Sequence, residues 1–271
     1  MSSSTTPTVL TIAGSDPYGG AGVQVDAKVI HALGGYAFSI TTASTAQNSI
    51  GVKKVFYTPI ENFRLQLHTI LDDIKVDAVK IGMLGNAENI MVIAEAIKKY
   101  TLQNIVLDTV LVSSNGQDLL EPDAIKVMVK ELFPLVDVIT PNIPEINTLL
   151  GTRYLGKENE IKVMAKELLL LGARSVLIKG GHGNNKEYAI DYLVKKGERT
   201  IVLSRLKIET THTHGTGCVL SSGIATFLAK GESLEKSVQL AKGFLYEKLQ
   251  TASRIKFLYT DEMCERKEPL L

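Results

Sequence analysis

The residues whose types and spacing point most clearly to a chemical function are the six at positions 213–218, Thr-His-Gly-Thr-Gly-Cys. Apolar residues at helical spacing follow directly, which predicts a helix that begins inside this segment. The first amides of a helix lack internal partners, and together with the helix dipole they bind anions such as phosphate. Cys218 falls in the first turn, where the dipole is expected to lower the pKa of its thiol. The segment therefore predicts an anion cradle for phosphoryl transfer, although Cys218 alone is also explained as a small buried apolar residue.

A glycine-rich turn at residues 14–22 follows the first predicted strand and precedes a helix. Its glycines would let the backbone approach a ligand closely. The turn lacks the Gly-Lys-[Ser/Thr] ending of a Walker A loop and the third glycine of a dinucleotide fingerprint. Asp26, one turn into the helix, is either an acceptor for a substrate hydroxyl or a solvated or capping carboxylate.

Carboxylate and amide side chains at the ends of two predicted strands indicate a magnesium site. Asp108 ends one apolar run, and Asn142 and Glu145 follow the next. Mg²⁺ prefers hard oxygen ligands and is often held through water. Glu145 is also explained as an acid that complements the dipole at a helix start. Lys179 ends a further strand two residues before Gly181, where its cation could meet a phosphate.

Composition and charge exclude several classes of protein. The 271 residues are 45% hydrophobic and 22% charged, with a formal net charge of +1. These values are typical of a globular domain. The chain has no large excess of basic residues of the kind that binds nucleic acid or an anionic membrane. No apolar run reaches the roughly 20 residues of a membrane span, and the N-terminus lacks a secretory pattern. Free thiols at Cys218 and Cys264 in a reducing compartment are expected, which predicts a cytoplasmic protein.

Apolar strand-like runs alternate with helix-period segments along the chain. This alternation predicts an α/β fold, a mostly parallel sheet with helices on both faces. The segment 188–208 predicts a hairpin that adds an antiparallel edge. We expect a disordered tail over residues 1–7, a single domain over residues 8–252 and a C-terminal tail over residues 253–271. Ligands of such folds lie beyond the carboxyl ends of the strands, where the candidate residues gather.

Seven segments in the same order resemble the hydroxymethylpyrimidine/phosphomethylpyrimidine kinases of thiamine biosynthesis, within the ribokinase-like superfamily. They lie at residues 11–22, 45–48, 80–85, 106–110, 139–145, 179–182 and 214–218. The resemblance implies a ribokinase-like three-layer αβα fold. It also implies two ATP-dependent steps, in which 4-amino-5-hydroxymethyl-2-methylpyrimidine (hydroxymethylpyrimidine) becomes its monophosphate and then its diphosphate.

The resemblance further implies roles for single residues. The residues expected to hold the pyrimidine are Gly14, Asp26, Gln47, Met83 and Val110. The catalytic set comprises the candidate base Cys218 with Gly215, Thr216, Gly217 and Lys179. ATP is expected to contact Lys179, Gly181, Thr213, Gly215 and Gly217, and Mg²⁺ to lie near Asp108, Asn142 and Glu145. A homodimer is implied by the resemblance alone.

Three alternatives stay open. A pyridoxal kinase of the same fold is the nearest, but Gln47 counts against it because a less amide-like residue is expected opposite a pyridine. A non-catalytic nucleotide-binding regulator would need a disrupted base or anion hole, whereas Gly215, Gly217 and Cys218 are all present. A dinucleotide oxidoreductase is weakened by the missing glycine fingerprint.

Overall fold

The computed structural model describes residues 6–48, 51–113, 116–180, 185, 187–210 and 213–251. The predicted C-terminal tail with Cys264, most of the predicted N-terminal tail and Gly181 lie outside the described residues. Within the part of the chain that is described, no helix has both the length and the apolar character needed to cross a membrane.

Nine strands in the described residues form one sheet. They are β1 Thr8–Ser15, β2 Tyr36–Asn48, β3 Gly51–Tyr57, β4 Ala78–Ile81, β5 Ile105–Leu107, β6 Val138–Ile139, β7 Ser175–Ile178, β8 Tyr188–Lys195 and β9 Ile201–Leu206. Their order across the sheet is β3-β2-β1-β4-β5-β6-β7-β8-β9. The six central strands, β2-β1-β4-β5-β6-β7 in spatial order, pair in parallel. At the two edges, β3 pairs antiparallel with β2, β8 with β7, and β9 with β8.

Eight helices in the described residues cover both faces of this sheet. They are α1 Gly22–Ala32, α2 Ile60–Asp73, α3 Ala87–Tyr100, α4 Pro122–Glu131, α5 Ile143–Leu150, α6 Glu158–Leu170, α7 Thr216–Ala229 and α8 Leu234–Thr251. Helices α2 to α6 pack on one core, and α1, α7 and α8 pack on the opposite side. Successive strand residues alternate between the cores: Val9 belongs to one and Leu10 to the other. The predicted three-layer α/β fold is confirmed.

The antiparallel hairpin predicted within residues 188–208 is present as β8 and β9. The opposite edge was missed, because β2 runs on to Asn48 and pairs with β3. In β3 two adjacent lysines, Lys53 and Lys54, interrupt the alternation of apolar and polar residues that would have predicted a strand. Helix α4 was also missed.

The chain reverses its direction of travel across the sheet between β1 and β4. From β1 it moves outward to β2 and β3, and from β4 it moves the other way. Ligands in open α/β sheets bind beyond the carboxyl ends of the strands at such a reversal. The glycine-rich turn after β1 and the segment after β4 that carries Met83 flank this point.

Candidate active site

An open cavity of about 830 Å³ lies at the carboxyl ends of the strands. Its walls come from the turn after β1, the ends of β2, β4, β5 and β7, and the start of α7. The predicted site residues that line it are Gly14, Gln47, Met83, Asp108, Val110, Asn142, Glu145, Lys179, Thr213, Gly215, Thr216, Gly217 and Cys218. The structure therefore brings most of the candidate residues to one cavity, with Asp26 as the exception among those described.

The predicted anion cradle forms the N-terminus of α7. Gly215 is the N-cap residue, with φ of 80°, and the helix begins at Thr216. No side chain caps this helix end. Thr216 Oγ1 instead donates to the carbonyl of Thr213 at 3.0 Å, which holds the entering chain. The Thr216 amide also donates to this carbonyl, at 3.4 Å, so the amides of Gly217 and Cys218 are those available to an anion in the cavity.

Gly215→Ala is expected to disrupt the cradle. A Cβ atom on Gly215 would lie 1.8 Å from the backbone oxygen of Gly20, so the glycine-rich turn and the cradle would have to move apart. Gly231 is a matched control, because its φ of +83° is as unfavourable for alanine but nothing lies within 4 Å of its added Cβ. Both variants should lose about 1–2 kcal/mol from the left-handed backbone, measured by urea unfolding.

The two glycine variants should differ in catalysis. Only Gly215→Ala should lower kcat/KM for phosphoryl transfer, by about 10²-fold or more, as misplaced reacting groups do. Equal activity of the two variants would show that the close approach of Gly215 to Gly20 does not shape the cradle.

The expectation for the Cys218 thiol is wrong in sign. Burial raises the pKa of Cys218 to about 11. The Lys80 cation opposes the rise in this pKa, and the carboxylates of Asp26 and Asp108 add to it. Helix position favours the thiolate, but desolvation on the apolar side of α7 and the two carboxylates outweigh it. Cys218 is therefore a neutral thiol at neutral pH.

Asp26, predicted to touch the substrate, is instead fully buried below the cavity. Its Oδ2 accepts hydrogen bonds from Lys80 Nζ at 2.7 Å and from Thr11 Oγ1 at 2.5 Å. Its Oδ1 accepts from Ser222 Oγ at 2.7 Å. These partners belong to β4, β1 and α7, so the carboxylate joins four elements under the site. Asp26 therefore does not line the cavity.

Lys80 lines the cavity, although the sequence analysis assigns it no role. It is fully buried in β4, yet its ammonium reaches the floor of the cavity. The pKa of Lys80 is raised because the surrounding carboxylates, Asp26 first, outweigh the cost of burial. A lysine inside an otherwise apolar strand, Ala78–Ile81, was the available signal, since an unpaired charge does not persist in a core.

A lysine and two carboxylates form a charged group beside the cradle. Lys179 Nζ lies 2.9 Å from Asp108 Oδ1 and 3.8 Å from Glu145 Oε2. Burial alone would raise the pKa of Asp108, but the cations of Lys179 and Lys80 hold it below its ordinary value. Burial and the neighbouring Asp108 charge raise the pKa of Glu145. The ammonium of Lys179 can bind phosphate, and the carboxylates of Asp108 and Glu145 can bind the cation that accompanies it.

The predicted metal ligand Asn142 forms the N-cap of α5 together with Glu145. Its Oδ1 accepts from the amide of Glu145, and Glu145 Oε2 accepts from the amide of Asn142, each at 2.8 Å. This reciprocal capping box starts α5 and occupies the side-chain oxygen of Asn142. Among the described residues, no group of three or more Cys, His, Asp or Glu side chains could hold a metal. Asp108 and Glu145 supply two carboxylates, which suit Mg²⁺ when water and phosphate complete its ligands.

One end of the cavity is apolar with one amide. Met83 and Val110 belong to a small apolar cluster, and Thr42 Oγ1 fixes the Met83 carbonyl with a 2.7 Å hydrogen bond. Gly14 lies so close to Met83 that a Cβ would be 2.7 Å from the sulfur. Gln47 lies at the end of β2 and is half-buried. This end of the cavity can hold a flat heterocycle and hydrogen-bond its edge.

Asp16 and His214 lie in the two glycine-rich segments, but the sequence alone predicts no role for either side chain. Asp16 is buried, and its carboxylate accepts from the amides of Tyr18, Gly20 and Ala21. It also lies 3.1 Å from His214 Nε2. Burial would raise the pKa of Asp16, but the hydrogen bond from His214 and the amides hold it below its ordinary value. The glycine-rich turn and the cradle are therefore joined by a side-chain contact.

Comparisons with known proteins agree with this geometry. The profile of a family described as phosphomethylpyrimidine kinase matches residues 16–260. A hydroxymethylpyrimidine/phosphomethylpyrimidine kinase of Escherichia coli is 38% identical over 246 residues, which cover 91% of this chain and 92% of the relative. A probable thiamine biosynthetic bifunctional enzyme of rice is 42% identical over 239 residues, 88% of this chain, but the chain spans only 43% of its length.

Solved structures with this fold include two kinases. The phosphomethylpyrimidine kinase of Clostridium difficile superposes with a TM-score of 0.77 at 39% identity, covering 89% of this chain and 98% of that one. The pyridoxal kinase of Bacillus subtilis, solved as an ADP complex, superposes with a TM-score of 0.85 at 35% identity, covering 92% and 94%.

Proposed function

The chain belongs to the phosphomethylpyrimidine kinase family, and from that premise we propose that it uses ATP to phosphorylate hydroxymethylpyrimidine and then its monophosphate. It is a phosphotransferase with the three-layer fold of these kinases. The observation that carries the proposal is a single cavity that is lined both by an uncapped helix N-terminus beside Cys218 and by Gln47 among apolar side chains. A phosphate and a heterocycle could thus be held in one space.

The heterocycle is recognised by the amide of Gln47 and by apolar contacts. An aminopyrimidine edge offers a donor and an acceptor, and a glutamine amide supplies the complementary acceptor and donors. Met83 and Val110 cover the ring, and Gly14 leaves room beside it. The same half of the cavity takes the monophosphate in the second step, with its phosphate directed toward the cradle.

Transfer requires the substrate oxygen to attack the terminal phosphorus of ATP as the bond to the ADP oxygen breaks. The amides of Gly217 and Cys218 and the ammonium of Lys179 stabilise the charge on the phosphoryl group in transit. The thiolate form of Cys218 accepts the proton of the hydroxyl as the new bond forms. Because burial raises the pKa of Cys218 to about 11, this form is scarce at neutral pH but strongly basic.

The remainder of the cavity suits the nucleotide. Apolar side chains of α8 and of the segment after β9 line it, among them Ile208, Leu245 and Leu249. The relative from Bacillus subtilis binds ADP, which supports ATP as the phosphoryl donor. Asp108 and Glu145 would hold Mg²⁺, which supplies charge neutralisation between the phosphates. A homodimer, supported by the family resemblance, and a cytoplasmic location, supported by the low cysteine content, complete the proposal.

A side-by-side coupled assay tests the substrate. Purified protein with ATP and Mg²⁺ should turn over hydroxymethylpyrimidine and its monophosphate faster than pyridoxal, because the Gln47 amide matches an aminopyrimidine edge. Pyridoxal is the competitor of choice because a pyridoxal kinase shares the fold at a TM-score of 0.85. Faster turnover of pyridoxal would replace this proposal with a pyridoxal kinase, and binding without ATP consumption would indicate a regulator.

Removal of the metal gives a further arm of the same assay. EDTA should abolish turnover of every substrate, since only Lys179 and the cradle amides would then neutralise the charge of the phosphates. Added Mg²⁺ should restore it. Full activity in EDTA would contradict the magnesium part of the proposal and leave the choice of substrate unaffected.

A further inference from the structure

One nitrogen of His214 lies between two polar side chains from different elements. His214 Nε2 is 3.1 Å from Asp16 Oδ2 in the glycine-rich turn. The same atom is 3.2 Å from the amide of Gln47 at the end of β2. His214 directly precedes the cradle, so this nitrogen links the turn, the cradle and the proposed heterocycle contact.

The chemistry of the partners fixes the proton on this nitrogen. An ionised carboxylate only accepts hydrogen bonds, so Nε2 of His214 must carry a hydrogen that is directed to Asp16. The Asp16 carboxylate is ionised because three backbone amides and His214 hold its pKa below the ordinary value. A protonated Nε2 cannot accept from an amide nitrogen. The oxygen of Gln47, and not its nitrogen, must therefore face His214.

Thr45 requires the same orientation. Its hydroxyl has one hydrogen, which is donated to the Ser15 carbonyl at 2.9 Å. The end of the Gln47 side chain that lies 3.2 Å from Thr45 Oγ1 must then be the donor. A half-turn of the Gln47 amide thus places its oxygen against the N–H of His214 and its NH₂ group against the lone pairs of Thr45, whereas the opposite orientation places donor against donor and acceptor against acceptor.

We propose that His214 is a positioning residue that sets the orientation of the Gln47 amide and thereby selects heterocycles with adjacent donor and acceptor groups. Asp16, anchored by its own turn, keeps the histidine in the required tautomer, as carboxylates do for histidines elsewhere. The amide keeps its second hydrogen for a ring acceptor and a lone pair of its oxygen for an exocyclic amine. This inference rests on the proposed function, because it assigns the heterocycle to Gln47.

The test compares His214→Ala, His214→Gln and a matched control, His31→Ala, on the exposed part of α1. Glutamine carries an N–H donor at the same distance along the side chain as Nε2 of histidine. We expect His214→Ala to raise the KM for hydroxymethylpyrimidine about fivefold to tenfold, the effect of one hydrogen bond. Turnover and the KM for ATP should stay near the wild-type values, and His214→Gln should recover the KM.

A substrate analogue that lacks the 4-amino group provides the decisive readout. Wild-type protein should discriminate against it, and His214→Ala should lose most of that discrimination, because a freely rotating amide no longer presents its oxygen to the amine. A merely structural role would lower turnover for both substrates equally and leave their ratio unchanged, and that result would overturn the inference. Absence of wild-type activity on hydroxymethylpyrimidine would instead refute the proposed function, and the inference with it.

Discussion

Cys218→Ala is expected to lower the turnover number about 10²- to 10⁴-fold, the usual contribution of a general base. The KM for hydroxymethylpyrimidine should change little, because the heterocycle is assigned to Gln47 and the apolar cluster and not to the thiol. The residual rate would come from the cradle amides and Lys179, which neutralise charge without moving a proton. Steady-state kinetics with both substrates would measure the split.

The pH dependence of turnover makes this test specific to the thiol. Because the pKa of Cys218 is raised to about 11, the thiolate fraction grows with pH over the whole range below that value. Wild-type turnover should rise about tenfold per pH unit from neutral pH upward, and alanine should remove this slope. Cys218→Asp supplies a base that is ionised at neutral pH, so it should retain activity with a flat profile.

Two results would remove Cys218 from the role of base. One is unchanged turnover in Cys218→Ala. The other is wild-type turnover that does not depend on pH, since proton transfer to the thiolate would then contribute nothing. The cradle would remain as the phosphate site in either case, because its amides belong to the backbone.

The fold was predictable where the sequence signal is local. Strand β4 is one of the apolar runs from which the sequence predicts a parallel sheet, since both of its faces are buried and its residues are almost continuously apolar. The hairpin of β8 and β9 has a turn with Gly197 in the left-handed region. Strand β3 escaped detection because it forms an exposed edge, where pairing with β2 and not side-chain pattern decides the structure.

The site residues, too, were predictable where the sequence signal is local. The cradle was found because its chemistry belongs to a backbone that glycine spacing reveals, and Gly215 is indeed the residue with positive φ at the helix start. The misplacement of Asp26 and the wrong sign of the Cys218 pKa shift have a different origin. Each depends on a partner that is remote in sequence or on burial: Lys80 for Asp26, and desolvation for the thiol. The capping box of Asn142 and Glu145, by contrast, joins two residues that are close in sequence at the start of α5.

Lys80→Met should give the largest loss of stability, about 3–5 kcal/mol, because it leaves the Asp26 carboxylate buried without its cation. Lys80 and Asp26 are both fully buried and lie 2.7 Å apart. Hydrogen bonds from Thr11 and Ser222 would remain but cannot balance the charge. Urea unfolding at neutral pH would measure the change. Arg64→Ala is the control: it breaks an exposed pair with Glu95 and should cost about 1 kcal/mol or less.

The double variant Lys80→Met with Asp26→Leu separates charge from packing. If the uncompensated carboxylate causes the loss, removing it should restore most of the free energy of unfolding, since apolar residues of similar volume often replace a buried ion pair at little cost. The double variant therefore tests whether Asp26 acts on the site through its ion pair. Two results would contradict the assignment of Asp26 and Lys80 as a stabilising ion pair. One is a Lys80→Met variant whose free energy of unfolding is as high as that of Arg64→Ala. The other is a double variant that loses as much free energy of unfolding as the two single variants together. Asp26 would then have to be reconsidered as a group that reaches the substrate.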